Sequence, residues 1–166
     1  MKKIFRLLMV AFLFVSMVAC SKKPQEDEVV DPLADYDKFT YETLEFYVPK
    51  SIGAHETTLE NYKFAVDSNQ IAVFVNQFMH EDLEKANYTV EDVKALVFEG
   101  MEQKDLNGVA YTTYTNAGTD GVDYFYVYGF LEGSDRVWDF NVACRAADRE
   151  TNEPIMMDIL AKAVAH

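Results

Sequence analysis

The amino-acid sequence predicts one α+β domain, in which an antiparallel sheet of about six strands carries two amphipathic helices. Three observations support this fold class. Much of the chain alternates apolar and polar side chains and breaks at turn-forming residues, as antiparallel hairpins do. Two segments, residues 90–106 and 155–164, instead repeat apolar residues at helical spacing. The chain of 166 residues is long enough to bury one ordinary core.

The chain begins with a segment that predicts export. Lys2 and Lys3 precede an apolar run that closes at the small residue Ala19. A basic start, an apolar stretch and a small residue before the cut are typical of a secretory signal, here residues 1–19. The next residue, Cys20, resembles the lipid-modified cysteine of bacterial lipoproteins. The resemblance implies lipid on Cys20, a membrane partner through that lipid, and a place in the cell envelope, at the outer membrane.

Residues 20–38 are predicted to form a flexible acidic tether. This segment contains Pro24 and the acidic run Glu26–Glu28, and it has too few apolar residues to offset the entropy of ordering. Some lipoproteins of the Bacteroides group carry acidic residues soon after the cysteine as a signal for the cell surface. Here Lys22 and Lys23 come first. A periplasmic and a surface-facing orientation therefore both stay open.

The domain itself, residues 39–166, opens with predicted strands. Alternating apolar residues indicate a strand over residues 41–48, and it ends at Pro49 because proline cannot donate to a ladder. Residues 57–66 and 70–78 follow on either side of an Asp-Ser-Asn turn. The sequence therefore predicts a hairpin here, with apolar residues on both faces of its second strand.

A helix is predicted over residues 90–106. Thr89 stands three residues before Asp92, which is a weaker form of the capping box that begins many helices. Apolar residues then recur at helical spacing until Asn107–Gly108. These two residues are typical of a left-handed cap, so we expect the helix to end there.

The last third of the domain predicts three strands and a helix. The strands cover residues 109–115, 122–132 and 136–146, and Gly-, Asn- and Asp-containing turns separate them. The helix has its apolar stripe over residues 155–164, and Pro154 suits an early helical position. The predicted element order is strand, hairpin, helix, three strands and helix.

This order resembles the PsbP-like superfamily, which includes small bacterial lipoproteins. The similar features are the strand Leu44–Pro49, a meander that ends in Trp138–Cys144, and the closing helix Ile155–Val164. The resemblance covers about Phe39–Val164 and implies a PsbP-like sandwich and a mostly non-enzymatic accessory or binding domain. Cystatin-like and other small α+β sheets share such patterns and stay open as alternatives.

The negative charge of the chain argues against negatively charged partners. Its formal net charge is −13, and loss of the basic residues of the signal leaves the remainder more acidic still. Repulsion at this charge argues against nucleic acid and against an anionic bilayer surface as direct partners. An acidic balance also simply favours solubility.

No cofactor and no catalytic group are predicted. With Cys20 assigned to lipid, Cys144 has no partner for an internal disulfide, and we expect it to be a small buried residue. A weak calcium candidate is the oxygen-bearing set Asn116, Asp120 and Asp123 in one loop. The same residues are the ordinary chemistry of a turn.

The tyrosines supply the candidate binding residues. The sequence has ten of them, and five fall on two neighbouring predicted strands: Tyr111, Tyr114, Tyr124, Tyr126 and Tyr128. Tyrosine joins an apolar ring to a polar tip and suits half-exposed sheet faces and interfaces. These five residues predict a sheet-face site for a glycan or a protein partner. Ordinary strand propensity explains the same pattern and is the alternative.

The functional prediction is therefore a lipid-anchored envelope protein that acts as a non-catalytic binding or accessory module. The alternative is a small carboxylate-dependent hydrolase of the envelope, because acidic residues are plentiful although none can be assigned a role. Envelope assembly through an edge strand is a third possibility.

Overall fold

The computed structural model describes residues 31–166, so the predicted signal (residues 1–19), Cys20 and most of the tether lie outside the described residues. Residues 35–166 form one compact unit. Residues 31–34 form a turn, in which the Leu33 amide donates to the Asp31 side chain at 2.9 Å. No helix within residues 31–166 has the length and apolar character needed to cross a membrane.

Ten strands and three α-helices make up the described chain. Their bounds in chain order are β1 Tyr36–Tyr41, β2 Leu44–Pro49, β3 His55–Thr57, β4 Phe64–Asp67, β5 Ala72–Met79, α1 His80–Lys85, α2 Val90–Val97, β6 Lys104–Leu106, β7 Val109–Ala117, β8 Asp123–Glu132, β9 Arg136–Arg145, α3 Arg149–Ala161 and β10 Val164–Ala165. A small sheet has the order β1-β2-β10 and a large sheet the order β3-β4-β5-β9-β8-β7-β6. All paired strands are antiparallel.

The predicted α+β class with an antiparallel sandwich is confirmed, but the predicted number of about six strands was too low. The four unpredicted strands, β1, β3, β6 and β10, are six residues long or shorter. Strands β3, β6 and β10 have three residues or fewer, which is too short to show an alternating pattern. Strand β1 begins at Tyr36, inside the segment predicted as the tether.

The main core lies between the small sheet, α3 and one face of the large sheet, which we call the inner face. On β9 the inner face consists of Trp138, Phe140, Val142 and Cys144, all of them buried. Phe46 of β2 packs edge-on against Phe140, with 5.2 Å between ring centroids. Three buried residues of α3 complete this core: Met156, Ile159 and Leu160. The predicted burial of Cys144 is confirmed.

The opposite face of the large sheet, which we call the outer face, is covered only at one end. There a second cluster joins the α1–α2 segment to the sheet through Leu83, Val93, Phe98, Ala110, Phe130 and Val137. Helices α2 and α3 therefore pack on opposite faces of the large sheet.

The helix predicted over residues 90–106 ends at Val97, so its predicted C-terminal half was wrong. Phe98 turns into the second cluster, and Gly100 adopts a left-handed φ of 73° that breaks the helix. Asn107 and Gly108 have φ values of 57° and 89° and join β6 to β7 as a two-residue hairpin. Asn-Gly suits a helix cap and a tight hairpin equally well, and here the hairpin forms.

Two further boundaries differ from the prediction. Helix α3 spans Arg149–Ala161, so it begins well before Pro154, which lies inside the helix. Arg149 binds Glu153 one turn later at 2.8 Å and lies over the Phe125 ring, which supports this earlier start. The strand predicted over residues 57–66 is interrupted, because residues 58–63 form a loop between β3 and β4.

The predicted cap of α2 is present and should matter for stability. The Asp92 amide donates to Thr89 Oγ1 at 3.1 Å, and the Thr89 amide donates to the Asp92 carboxylate at 2.8 Å. We expect Thr89→Ala to lower the free energy of unfolding by about 1 kcal/mol, because it leaves helix amides without a partner. Urea denaturation tests this, with Thr40→Ala on β1 as control. Equal midpoints for the two variants would contradict the prediction.

Candidate functional site

The uncovered half of the outer face is the most distinctive surface of the domain. Side chains reach this face in rows, because antiparallel register aligns them across strands. One row joins Tyr114 of β7, Tyr126 of β8, Ala143 of β9 and Ala72 of β5. The next row towards the α1–α2 segment contains Thr112, Tyr128, Asn141 and Phe74.

Aromatic rings form a continuous line across these rows. Tyr114 and Tyr126 stack with ring centroids 4.8 Å apart and ring planes 10° apart. Phe74 lies 6.4 Å from Tyr126, and Tyr62 lies 4.9 Å from Phe74. Each distance is in the range where ring pairs attract one another. The line therefore runs from β7 to the loop before β4.

The predicted tyrosines divide between the two faces. Tyr114, Tyr124, Tyr126 and Tyr128 share the outer face, as their cross-strand pairing requires. Tyr111 lies three residues from Tyr114 and so points to the other side, where it packs against the main core. The structure thus does not bring Tyr111 to the others, and ligand binding by the remaining four stays a prediction.

Tyr62 is the aromatic residue that sequence reasoning missed. It is 39% exposed and lies in the loop between β3 and β4. The loop has no alternating pattern from which its direction could be read. Its position next to Phe74 follows only from the tertiary fold.

A groove of ≈ 880 Å³ runs along this aromatic face. Its walls are two turns at the same end of the sheet, residues 67–70 between β4 and β5 and residues 117–120 between β7 and β8. Ala72 and Ala143 lie on its floor, side by side in register. Their small side chains leave a depression next to Tyr126. The volume falls within the roughly 300–1,000 Å³ of typical small-molecule sites.

Hydrogen bonds fix both walls of the groove. Ser68 Oγ accepts from the Ile71 amide at 2.9 Å and donates to the Ile71 carbonyl at 2.8 Å. Asp120 accepts from the Val122 amide at 3.0 Å and from the Tyr124 hydroxyl at 2.9 Å. The bonds from Val122 and Tyr124 lower the pKa of the Asp120 carboxyl. The groove is therefore built from turns that are held in place without a ligand.

Arg145 is the cationic side chain in the groove lining. It is exposed at the end of β9, and its charge contributes to the lowered pKa of Asp120. Within residues 31–166 it forms no ion pair shorter than 4 Å. The guanidinium is thus available to a ligand.

The oxygen set proposed for calcium does not converge. Asn116 pairs with Tyr124 and belongs to the outer face, whereas Asp123 alternates to the other side of β8. Both oxygens of Asp120 already accept hydrogen bonds. Residues 31–166 contain no group of three or more His, Cys, Asp or Glu side chains arranged to hold a metal ion. The turn chemistry of these residues accounts for their positions.

Asp139 is a partly buried carboxyl on the outer face, at the border between the aromatic rows and the α1–α2 segment. It pairs with Phe130 of β8, the ring that the α1–α2 segment covers. Burial raises the pKa of Asp139 to about 6, although hydrogen bonds from Tyr128 and Asn141 partly offset that effect. Burial also raises the pKa of Tyr114 to about 12, and the charge of Asp139 adds to this effect.

Asp139 and Asp120 have pKa values displaced in opposite directions, which is a pattern found in acid–base pairs. Their places in the sheet separate them. Asp120 bonds Tyr124, whose partner on β9 is Arg145, six residues from Asp139. Six strand residues span roughly 20 Å, whereas two-carboxylate hydrolysis needs about 5–10 Å. The arrangement suits binding better than this chemistry.

Comparisons with solved structures agree with the predicted fold. A crystal structure of a protein from Bacteroides thetaiotaomicron VPI-5482 has a TM-score of 0.55 at 9% identity, and the match covers 80% of this chain. The chain spans about half the length of that protein, 49%. Cyanobacterial PsbP, CyanoP, from Synechocystis sp. PCC 6803 has a TM-score of 0.51 at 12% identity, over 87% of this chain and 100% of CyanoP.

Comparisons of the amino-acid sequence found no match. No protein-family model matches the chain. No curated protein matches it either. At these identities the structural neighbours show the fold alone, which is α+β and PsbP-like.

Proposed function

We propose that this protein is a lipid-anchored envelope protein and a non-catalytic binding or accessory module that takes its ligand in the outer-face groove. The observation that carries the proposal is the uncovered half of the outer face. Elsewhere the sheet is closed by α3, the small sheet or the α1–α2 segment. The strand rings of this half are partly exposed and Tyr62 is exposed, and an accessible aromatic surface of this kind is a typical place for recognition.

The residues of the groove support binding in three ways. Aromatic surface comes from Tyr62, Phe74 and Tyr126. Their side chains lose little conformational entropy when a ligand packs on them. The small floor residues Ala72 and Ala143 leave room beside the rings. The turns that form the walls are already hydrogen-bonded, so a ligand would not have to order them.

The alternative function, a carboxylate-dependent hydrolase, has less support. Asp139 has the raised pKa that a general acid needs, but it is not part of the groove lining. Asp120 lies in the groove wall, and its carboxylate is occupied by two hydrogen bonds. The strand separation between their positions is too large for the two to act on one bond.

The groove proposal is tested by filling the depression. Ala72→Arg places a long side chain beside Tyr126 at a partly exposed strand position, and Thr40→Arg makes the same change on β1, away from the groove. We expect wild type and Thr40→Arg to capture a component of the native cell envelope that Ala72→Arg does not. Circular dichroism checks the fold of both variants. Equal capture by all three proteins would refute the groove as the site.

The anchoring part of the proposal rests on the leader before Cys20. We expect labelled palmitate to enter the wild-type protein and to be absent from Cys20→Ala, because only the thiol can accept the lipid. The variant should also leave the membrane fraction. Labelling that persists in Cys20→Ala, or membrane fractionation that does not change, would contradict lipid attachment there.

A further inference from the structure

We propose that the ligand of the groove is a carbohydrate chain of neutral sugars, an inference that rests on the proposed function and names its ligand. The geometry points to this class through the rings, the hydrogen-bonding groups of the walls and the balance of charges.

The rings offer the first argument. Tyr62, Phe74 and Tyr126 follow one another along the groove at 4.9 Å and 6.4 Å between ring centroids. The face of an aromatic ring is negative, and one side of a sugar ring presents a patch of weakly positive C–H groups. The planes of neighbouring rings are tilted by 40° and 60°, so the rings do not form one flat platform, and each ring can pack against the C–H side of a separate sugar.

The walls offer the second argument, because they are rich in hydrogen-bond acceptors. Asp67 carries a carboxylate, and Asn69 and Gln70 carry amides that both donate and accept. Sugar hydroxyls donate and accept, so they can satisfy both kinds of group. A proline-rich peptide, which also favours tyrosine-lined grooves, lacks the amide donors of ordinary peptides and would leave the Asp67 carboxylate unpaired.

The floor excludes a peptide that adds as a strand. Ala72 pairs with Ala143, and Ala143 pairs with Tyr126, so the backbone at this place belongs to the interior of the large sheet. Strand addition needs an exposed edge with free backbone groups. The floor therefore presents side chains to the ligand, because its strand backbone is already paired.

The charges offer the third argument. Glu60, Asp67 and Asp120 lie along the groove, so an anionic ligand would meet three carboxylates. The groove lining also contains one cationic group, Arg145, whose guanidinium has no ion-pair partner within the described residues. A neutral polyol meets no such repulsion. Its neighbouring hydroxyls can accept two parallel bonds from Arg145.

The test uses the native cell envelope as the probe, divided into three portions. One portion is left untreated, one is oxidised with periodate, which cleaves bonds between carbons that carry neighbouring hydroxyls, and one is digested with proteinase K. Wild type, Thr40→Arg, Ala72→Arg, Tyr126→Ala and Tyr126→Phe are immobilised as full chains. Bound sugar and bound protein are both quantified.

We expect groove-dependent capture to survive the protease and to disappear after periodate. Ala72→Arg and Tyr126→Ala should each lower it about fivefold or more, the usual effect of losing an anchoring aromatic contact. Tyr126→Phe keeps the ring and should retain most of the capture. Thr40→Arg should match wild type.

The two proposals fail in different ways. Groove-dependent capture that is lost after protease and survives periodate would overturn the carbohydrate inference and leave a protein partner for the groove. Capture that is equal in wild type and Ala72→Arg would overturn the proposed function itself. Capture that falls equally in Tyr126→Ala and Tyr126→Phe would also overturn the inference, because ring stacking would then not hold the ligand.

Discussion

Phe46→Ala should be one of the most damaging single replacements in the core, lowering the free energy of unfolding by about 4 kcal/mol. Phe46 is fully buried and its ring lies 5.6 Å from Phe39, 6.2 Å from Phe64 and 5.2 Å from Phe140. It thereby joins the small sheet to the large one. Removing the ring leaves a cavity that three rings held in strands cannot close. Such a loss is a large part of the 5–15 kcal/mol that holds a typical domain.

Urea denaturation followed by circular dichroism measures this effect, and Phe78→Ala is the matched control. Phe78 is 41% exposed on the outer face of β5. Its loss should cost less than about 1 kcal/mol, because little apolar surface leaves a buried place. If the two variants unfolded at the same urea concentration, the packing of the small sheet against the large sheet would not depend on Phe46.

Sequence reasoning predicted the long elements well, because their patterns are long enough to be unambiguous. β8 and β9 have ten residues each, and the alternation that places Trp138 and Phe140 on one face is the one observed. It failed where a short signal has two meanings. Asn107–Gly108 suits a helix cap and a hairpin, and only the pairing of β6 with β7 decides between them.

The candidate site was predicted in part, for a related reason. Alternation along β8 places Tyr124, Tyr126 and Tyr128 on one face, and the structure has them there. Alternation also separates Tyr111 from Tyr114, although the two were grouped because they share a strand. Tyr62 comes from a loop, where no periodicity gives a direction. The role of Ala72 and Ala143 in the groove floor could not be predicted from sequence, because a small residue marks a depression only when its neighbours in space are known.

Asp139→Asn should change how stability depends on pH, by on the order of 2 kcal/mol. The carboxyl has its pKa raised from an ordinary 3.8 to about 6 in the folded state, so the folded protein holds the proton more tightly. Its stabilising contribution is therefore complete below about pH 4 and is lost as the pH rises towards 6. Each tenfold change in proton affinity corresponds to about 1.4 kcal/mol, and partial exposure reduces the total.

Asparagine at this position keeps an oxygen that can accept the bonds from Tyr128 and Asn141, and it stays neutral at every pH. The free energy of unfolding of wild type, minus that of Asp139→Asn, should therefore fall between pH 4.5 and pH 7. Carboxyls with lowered pKa values, such as Asp92 and Asp120, make the protein more stable as the pH rises. Both proteins contain these carboxyls, so their contribution cancels when the two free energies of unfolding are subtracted.

Urea denaturation at intervals across this pH range measures the difference, with Asp123→Asn, an exposed carboxyl of β8, as the matched control. The control should give a curve parallel to that of wild type. If Asp139→Asn were also parallel to wild type, the carboxyl would be as well solvated as a surface group. Water would then reach the part of the outer face that borders the α1–α2 segment. The groove would extend beneath the tyrosines as far as Asp139.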